Sequence, residues 1–261
     1  MFHRMNCKFL QKALFVLMLM MVWETLARTV FFNPTVFPSV TAILNAFAEG
    51  VASGLLIEKT AYSLLLIFKG LLISLLTAVL LSSMAIMSSL AENIVTTLNS
   101  ILHPLPGIAL LPVAILWFGI GEASIIFIVI HSVLWPMVVN FMTGFKTIPR
   151  IYMDVGKNIG LRPIGLLWGV ILPASLPYLL SGTKIGWARA WRSVIAAEMV
   201  FGAASGTAGG LGWHIYMTRY LFDISGTFAA LLAIIIVGIL VEELLFNNIE
   251  KHTVIKWGMT L

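Results

Sequence analysis

Long apolar stretches constrain this chain more than any other feature. Six of them are each long enough to cross the ~30 Å hydrocarbon core of a membrane as a helix. They lie near 11–32, 61–87, 94–118, 122–145, 166–201 and 226–247. A soluble fold could not bury this surface, because 60% of the residues are hydrophobic and only 10% are charged, against ~25% in soluble domains. The pattern predicts an all-α polytopic membrane protein in which residues 1–261 form a single transmembrane domain.

Positive charges in the connecting segments indicate the orientation of the chain. Cytoplasmic loops of membrane proteins are enriched in Lys and Arg. With both termini in the cytoplasm, nine of the sixteen Lys and Arg residues fall on that side: Arg4, Lys8, Lys12, Lys146, Arg150, Lys157, Arg162, Lys251 and Lys256. We therefore predict a cytoplasmic N-terminus and C-terminus, and contact with the lipid bilayer. Because the basic residues are dispersed among apolar segments, no nucleic-acid partner is expected.

Three segments depart from the pattern of long apolar helices. Prolines at 104, 106 and 112 interrupt the third stretch and predict a broken helix, which is tolerated where it packs inside protein. Apolar residues recur at helical spacing after Ser39 and predict a short amphipathic helix along the outer surface, with Ser39 as its N-cap. Residues 202–212 are rich in glycine and predict a flexible outer loop.

The longest connecting segment, 146–165, leads directly into the fifth apolar stretch. It contains Asp154-Val155-Gly156, then Gly160 after three residues, and Leu172-Pro173 follow in the apolar stretch. This spacing resembles the EAA loop of ATP-binding-cassette (ABC) importer permeases, which reads Glu-Ala-Ala, three residues, Gly, nine residues, Ile, one residue, Leu-Pro. All three positions of the Glu-Ala-Ala part differ, and Gly156 lowers helix propensity by about 1 kcal/mol relative to Ala. An ordinary basic connecting loop is the alternative interpretation.

The resemblance implies a mechanical role for this segment. A pore driven by a separate ATPase needs a short coupling helix that projects into the cytoplasm and docks in a groove of that ATPase. Gly160 would then allow a tight turn, and Pro173 would fix where the next helix begins.

The resemblance extends along nearly the whole chain. It includes Trp23-Glu24, FPSV from Phe37, LLPVAILWFGIGEAS over 110–124 and IGWARAWRSVIAAEM over 185–199. These sequences, and their order along the chain, resemble those of the permeases of nitrate, sulfonate and taurine importers. The resemblance implies a type I importer permease fold in the bacterial inner membrane. It also implies a second copy of the permease, two cytoplasmic ABC ATPase subunits, an external or periplasmic solute-binding protein, and a small anionic solute.

Several charged residues fall within the fifth apolar stretch, where a charge costs at least ~2.5 kcal/mol unless it is paired or hydrated. On a helix, Arg189, Arg192 and Ser193 share one stripe, whereas Glu198 shares another with Lys184. We interpret Arg189 or Arg192 as a source of positive potential along the translocation path, and Glu198 as a restraint on an outer gate through a cation. Snorkelling or a structural ion pair is the alternative. Glu24 is interpreted as the partner of Arg28, one turn later.

Other classes of protein fit the sequence less well. The chain lacks the Gly-x-x-x-x-Gly-Lys-Ser/Thr signature of a nucleotide site, so we expect no catalytic residue and no cofactor here, with ATP-Mg bound by the partner ATPase. His103 and His131 are isolated in the sequence, and no metal site is expected. A secondary transporter or channel that works without an ATPase remains the alternative, although no internal repeat supports it.

Overall fold

Helices, joined by turns and short loops, make up the part of the chain that the structure describes. The computed structural model describes residues 2–31, 33–201 and 209–259, of which 2–9 are described by their backbone alone. The α-helices are α1 (Phe2–Thr29), α2 (Val40–Ala52), α3 (Leu55–Met87), α4 (Ser89–Leu102), α5 (Leu111–Phe118), α6 (Glu122–Lys146), α7 (Arg150–Asn158), α8 (Pro163–Leu166), α9 (Leu172–Ala174), α10 (Leu176–Phe201), α11 (Leu211–Tyr220), α12 (Ile224–Leu240) and α13 (Asn247–Glu250). A 3-10 turn precedes α5, and π-helical turns join α8 to α9 and extend the segment from α12 to Ile255. The predicted all-α fold is confirmed.

The helices include enough apolar length for about six membrane crossings. Four segments are long and apolar enough by themselves: Leu10–Thr29, Leu55–Met87, Glu122–Lys146 and Ile224–Ile255. Two bent pairs meet the same criterion if each pair is one span: Ser89–Leu102 with Gly107–Phe118, and Pro163–Ala174 with Leu176–Phe201. Helices suit a bilayer because they satisfy their backbone hydrogen bonds internally. The count agrees with the predicted six.

The third span is broken between α4 and α5, as the prolines predicted. The helix axes on either side of the break differ by 87°. The amide of His103 still bonds the carbonyl of Asn99 at 2.9 Å. Pro104 and Pro106 then have no N–H to donate, so regular helix cannot continue through them. The break places His103 Nε2 3.5 Å from Arg189 Nη2 of α10.

The fifth span is also bent, which the sequence did not predict. The expected segment 166–201 is divided at Ser175, where the axes of its two parts differ by 71°. Pro177 has no N–H for the carbonyl four residues earlier, and its ring disfavours a continuous helix there. The buried Ser175 hydroxyl instead donates to the carbonyl of Ile171 at 2.7 Å. The amino-terminal part of the segment therefore runs in a different direction from α10.

Helix α6 lies at the centre of the bundle, between α3 and α10. In its most apolar stretch 61% of the residues are buried, and its side chains form much of the core. Two glycines of α10 allow the close approach: a Cβ on Gly182 would lie 2.9 Å from Phe141 Cε1, and one on Gly186 would lie 2.7 Å from Met137 Cε. Such small-residue spacing lets membrane helices pack through van der Waals contact.

Helix α1 lies at the periphery and is held by the segment that follows it. None of the residues in its most apolar stretch is buried. The indole Nε1 of Trp23 donates to the carbonyl of Pro38 at 2.9 Å, and the ring stacks on Phe37 at 4.3 Å. Ser39 caps α2 by accepting from the amide of Ala42, which confirms the predicted helix and its cap. Arg28 donates to Glu24 at 2.7 Å, which confirms that pair.

Helix α11 is an element that the sequence did not predict. It begins at Leu211, inside the segment 202–212 that was expected to be a flexible loop. Residues 202–208 of that segment lie outside the described residues. Leu211, Ile215 and Thr218 are buried and recur at the spacing of one helical face. That periodicity was a usable signal, but the preceding glycines obscured it.

Candidate functional site

The short helix α7 exposes an apolar surface. Ile151, Tyr152 and Val155 are each more than half exposed, although they belong to residue types that are usually buried. Asp154 lies exposed among them. Exposed apolar residues clustered on one small helix form a surface suited to contact with a protein or with a membrane. We call Ile151, Tyr152 and Val155 the α7 face.

Gly156 packs another side of α7 against the next turn of chain. It is buried, and a Cβ at this position would lie 2.5 Å from Leu166 Cδ1 and 3.3 Å from Val170 Cγ2. The absence of a side chain therefore allows α7 to approach α8 and the π-helical turn after it. This close approach offsets the lower helix propensity that the sequence indicated at Gly156.

The turn after α7 is built around Gly160. Its φ of +82° lies in the left-handed region, which glycine adopts without the penalty that a Cβ imposes. The amide of Gly160 bonds the carbonyl of Lys157 at 2.9 Å, and the amide of Leu161 bonds that of Gly156 at 3.0 Å. These two bonds close the helix C-terminus in the manner of a Schellman turn. The turn directs the chain into α8.

The remaining two residues of the expected coupling segment lie in α9. Leu172 is half-buried and Pro173 is exposed. Pro173 was expected to fix the start of the next helix. In the structure it lies inside the short α9, and α10 begins three residues later at Leu176. The bend at Ser175, rather than Pro173 alone, separates the two helices.

Two of the three charged residues expected on the translocation path lie together in a cleft. Arg189, Arg192 and Ser193 line it from α10, while His103 and His131 line it from the break after α4 and from α6. The cleft encloses about 410 Å³. The Nη2 atom of Arg189 lies 3.5 Å from His103 Nε2, and Arg192 Nε donates to the carbonyl of Ala188 at 3.0 Å. The break in the third span thus joins residues far apart in sequence.

Glu198 does not share this cleft. It lies nine residues after Arg189 and six after Arg192, so the 3.6-residue helical repeat places it on another face of α10. It is 1% exposed, and both of its oxygens accept from the hydroxyl of Ser63, at 2.8 and 2.9 Å. The amide of Gly212 donates to Oε2 at 2.8 Å. Glu198 therefore connects α10 to α3 and to the start of α11.

Sequence reasoning missed the partners of Glu198. Ser63 also accepts from the amide of Leu211 at 2.9 Å. A Cβ on Gly210 would collide with both Ser63 and Glu198, so glycine is needed for the approach. The buried Lys59 lies one turn before Ser63, and its charge attracts Glu198. The sequence offered one signal for this group, the short glycine run directly before α11.

Other charged residues of the bundle are paired between helices. Lys184, expected on the same stripe as Glu198, bonds Glu250 in α13. Lys69 lies 2.8 Å from Glu122, and Lys146 lies 2.5 Å from Glu92. Within the described part of the chain, no group of three or more His, Cys, Asp or Glu residues could hold a metal ion.

The helical bundle has apolar length for up to six membrane spans, as expected of a membrane component of a transport system. Residues 70–254 match the family of binding-protein-dependent transport system inner membrane components. Because this match covers more than half of the chain, the chain belongs to that family. Members of this family are inner-membrane components of transport systems, and the fold of the chain is that of a type I importer permease.

Individual relatives support the same assignment over most of their length. A protein of Methanocaldococcus jannaschii, named as an ABC transporter permease, is 30% identical over 84% of this chain and 80% of its own. The taurine transport system permease protein TauC of Escherichia coli is 26% identical over 86% of this chain and 82% of its own. The nitrate import permease protein NrtB of Synechocystis sp. is 26% identical over 90% of this chain and 86% of its own.

Proposed function

We propose that this chain is the permease subunit of an ABC importer for a small anionic solute such as nitrate, taurine or an alkanesulfonate. Two copies would form the path across the membrane, with an external solute-binding protein on one side and two ATPase subunits on the other. In this proposal ATP-Mg is bound by the ATPase, and this chain contributes no catalytic residue and no cofactor. Membership of a binding-protein-dependent family supports these partners.

The α7 face is the observation that carries the coupling role. Apolar surface transferred from water into a protein contact contributes roughly 25 cal/mol per Å². A short helix whose apolar residues face outward is suited to a groove on a partner. Gly156 and Gly160 fix α7 on the chain that leads into the bent fifth span. A displacement of α7 would therefore reach α10 through packed elements rather than through a loose loop.

Co-purification tests the coupling role. Replacing Val155 by Asp places a charge on the α7 face, and we expect the ATPase subunit to be lost from the complex in mild detergent. Tyr220→Asp is the matched control, since Tyr220 is also exposed and belongs to α11, whose first turn bonds Glu198 near the carboxyl end of α10. Helix α10 has 26 residues, which corresponds to about 39 Å. Equal recovery of ATPase with both variants would contradict the proposed docking surface.

The charge of the cleft supports an anionic solute. Arg189 and Arg192 both line it, and the lining contains no Asp or Glu. Two of the relatives are named for taurine and for nitrate, which are small solutes with oxyanion groups. On this proposal the positive potential of the two arginines favours entry of the anion into the path.

The group around Glu198 supports a restraint at the α11 end of α10. Lys59 is a cation of the kind expected near Glu198, and it belongs to α3. We propose that Glu198, Ser63 and the start of α11 hold three helices together at this end, and that the group restrains an outer gate.

A transporter that works without an ATPase is the other function considered. It predicts ion-driven uptake by the purified chain alone in liposomes. The permease proposal predicts no uptake until the ATPase and the solute-binding protein are added with ATP. The family assignment favours the permease.

A further inference from the structure

We propose that the cleft formed by His103, His131, Trp135 and Arg189 is itself an oxyanion-binding site of the permease, selecting a small sulfonate-like or nitrate-like group during transport. This inference rests on the proposed function, because it assumes that the solute passes through this chain. It assigns binding residues on three elements, whereas the positive potential of the arginines alone would select only charge.

The cleft presents donors from three elements. Arg189 and Arg192 contribute guanidinium groups from α10, and Ser193 adds a hydroxyl. Guanidinium groups are suited to oxyanions because their donors lie in a planar fork that matches two oxygens. Because Arg189 can only donate, its 3.5 Å approach to His103 Nε2 makes that nitrogen an acceptor and leaves the hydrogen on Nδ1.

Two side chains of α6 have polar atoms with no partner in the described part of the chain. Both ring nitrogens of His131 are buried without a hydrogen bond, and so is Nε1 of Trp135. Trp135 is only 7% exposed, and both residues line the cleft. A buried polar atom without a partner costs about 1–3 kcal/mol. After a small side-chain rotation, Nε1 of Trp135 and the single N–H of a neutral His131 would donate to an oxyanion in the cleft, which would remove part of that cost.

The two arginines also differ from other cations of the bundle. Lys69, Lys146 and Lys184 each pair with a carboxylate on another helix. Arg189 and Arg192 form no ion pair with any described carboxylate. A charge in the membrane needs compensation by a partner or by water. An anionic ligand would supply it.

The cleft has room for a small ligand. At about 410 Å³ the cleft is at the lower end of the range for small-molecule sites. It accommodates nitrate, a short alkanesulfonate or the anionic end of a somewhat larger molecule. The anionic headgroup of a lipid has the same chemistry, so an experiment must separate the two sources.

Fluorine NMR with trifluoromethanesulfonate tests the site in the assembled transporter, that is, the permease with its ATPase in phosphatidylcholine nanodiscs. We expect the fluorine line to broaden on addition of the wild-type complex. In Arg189→Gln and His131→Leu the dissociation constant should rise about tenfold or more, because each removes a donor to a charged group. Arg219→Gln, an exposed arginine on α11, is the matched control and should behave as wild type. Trifluoroethanol, the neutral probe, should show no difference between variants.

Three results would overturn the proposal. The first is an unbroadened line with a wild-type complex that retains its ATPase and hydrolyses ATP, which would leave the permease function intact. The second is equal binding by the Arg189 and Arg219 variants. The third is binding that disappears when phosphatidylglycerol replaces phosphatidylcholine, which would assign the cleft to a lipid headgroup. Failure of the proposed function would instead be seen as absence of the ATPase from every sample.

Discussion

At the scale of single residues, Glu198 shows what helical spacing can and cannot predict. Its position relative to Arg189 and Arg192 follows from the helical repeat, and the structure confirms that the two stripes are separate. Its partners do not follow, because Ser63 lies 135 positions away and their contact depends on how α3 packs. Likewise, the sequence could not show that His103 and His131 line one cleft, because only the break after α4 brings them together.

The buried network around Glu198 gives a prediction on stability. Glu198→Ala leaves the Ser63 hydroxyl and the Gly212 amide without their acceptor, at a cost of about 1–3 kcal/mol. This corresponds to a melting temperature lower by roughly 2–10 °C for a chain of this size. Glu198→Gln should lose less, because one carbonyl oxygen remains as an acceptor. The measurement is thermal unfolding of the purified permease in detergent.

Glu242→Ala is the control for this stability test, since Glu242 is exposed. It should unfold at the wild-type temperature. Equal melting temperatures for the Glu198→Ala and Glu242→Ala variants would show that the network contributes nothing to stability.

At the scale of elements, the two bends differ in how well the sequence predicted them. Pro104 and Pro106 lie close together in a segment that would otherwise be helical, so the break after α4 was predictable. The bend at Ser175 was not, because Leu172 to Leu180 reads as nearly uninterrupted apolar chain and prolines are tolerated within membrane helices. Gly156 similarly looked like a weak point of α7, and only its contact with Leu166 explains it.

The contact between Gly156 and Leu166 predicts a defect in coupling. Gly156→Val should push α7 away from α8, because even a Cβ would lie 2.5 Å from Leu166 Cδ1. We expect the ATPase to remain bound through the α7 face, while solute uptake per ATP hydrolysed falls severalfold in proteoliposomes. Gly169→Ala is the control, since its Cβ would lie 3.9 Å from Leu161 Cδ1, an ordinary contact. Wild-type uptake per ATP in the Gly156 variant would refute a rigid connection.

At the scale of the whole molecule, the sequence predicted the class and the number of spans but not their arrangement. The sequence indicates that both α1 and α6 span the membrane. In their most apolar stretches, however, 0% of the residues of α1 and 61% of those of α6 are buried. Lipid tails and a protein core are equally apolar, so hydropathy cannot distinguish a peripheral helix from a central one. Small residues at close contacts, such as Gly182 and Gly186, were the available signal for the centre.

The orientation of the bundle can be tested by cysteine labelling. The chain has one native cysteine, Cys7, so Cys7→Ser provides a background without thiols. In that background we expect Tyr220→Cys to react with a membrane-impermeant maleimide in intact spheroplasts. In the permease expressed without its ATPase, Val155→Cys should react only after the membrane is opened, because α7 would face the cytoplasm. The opposite pattern would invert the proposed topology and remove α7 from reach of a cytoplasmic ATPase.

The length of α3 has a geometric consequence for any motion of the bundle. Its 33 residues make a rod of about 50 Å, well beyond the ~30 Å hydrocarbon thickness. A rotation of about 10° carries one end of such a rod roughly 9 Å relative to the other. Ser63 lies near one end, in contact with Glu198 and Leu211. A small swing of this single rod would therefore be enough to pull that junction apart.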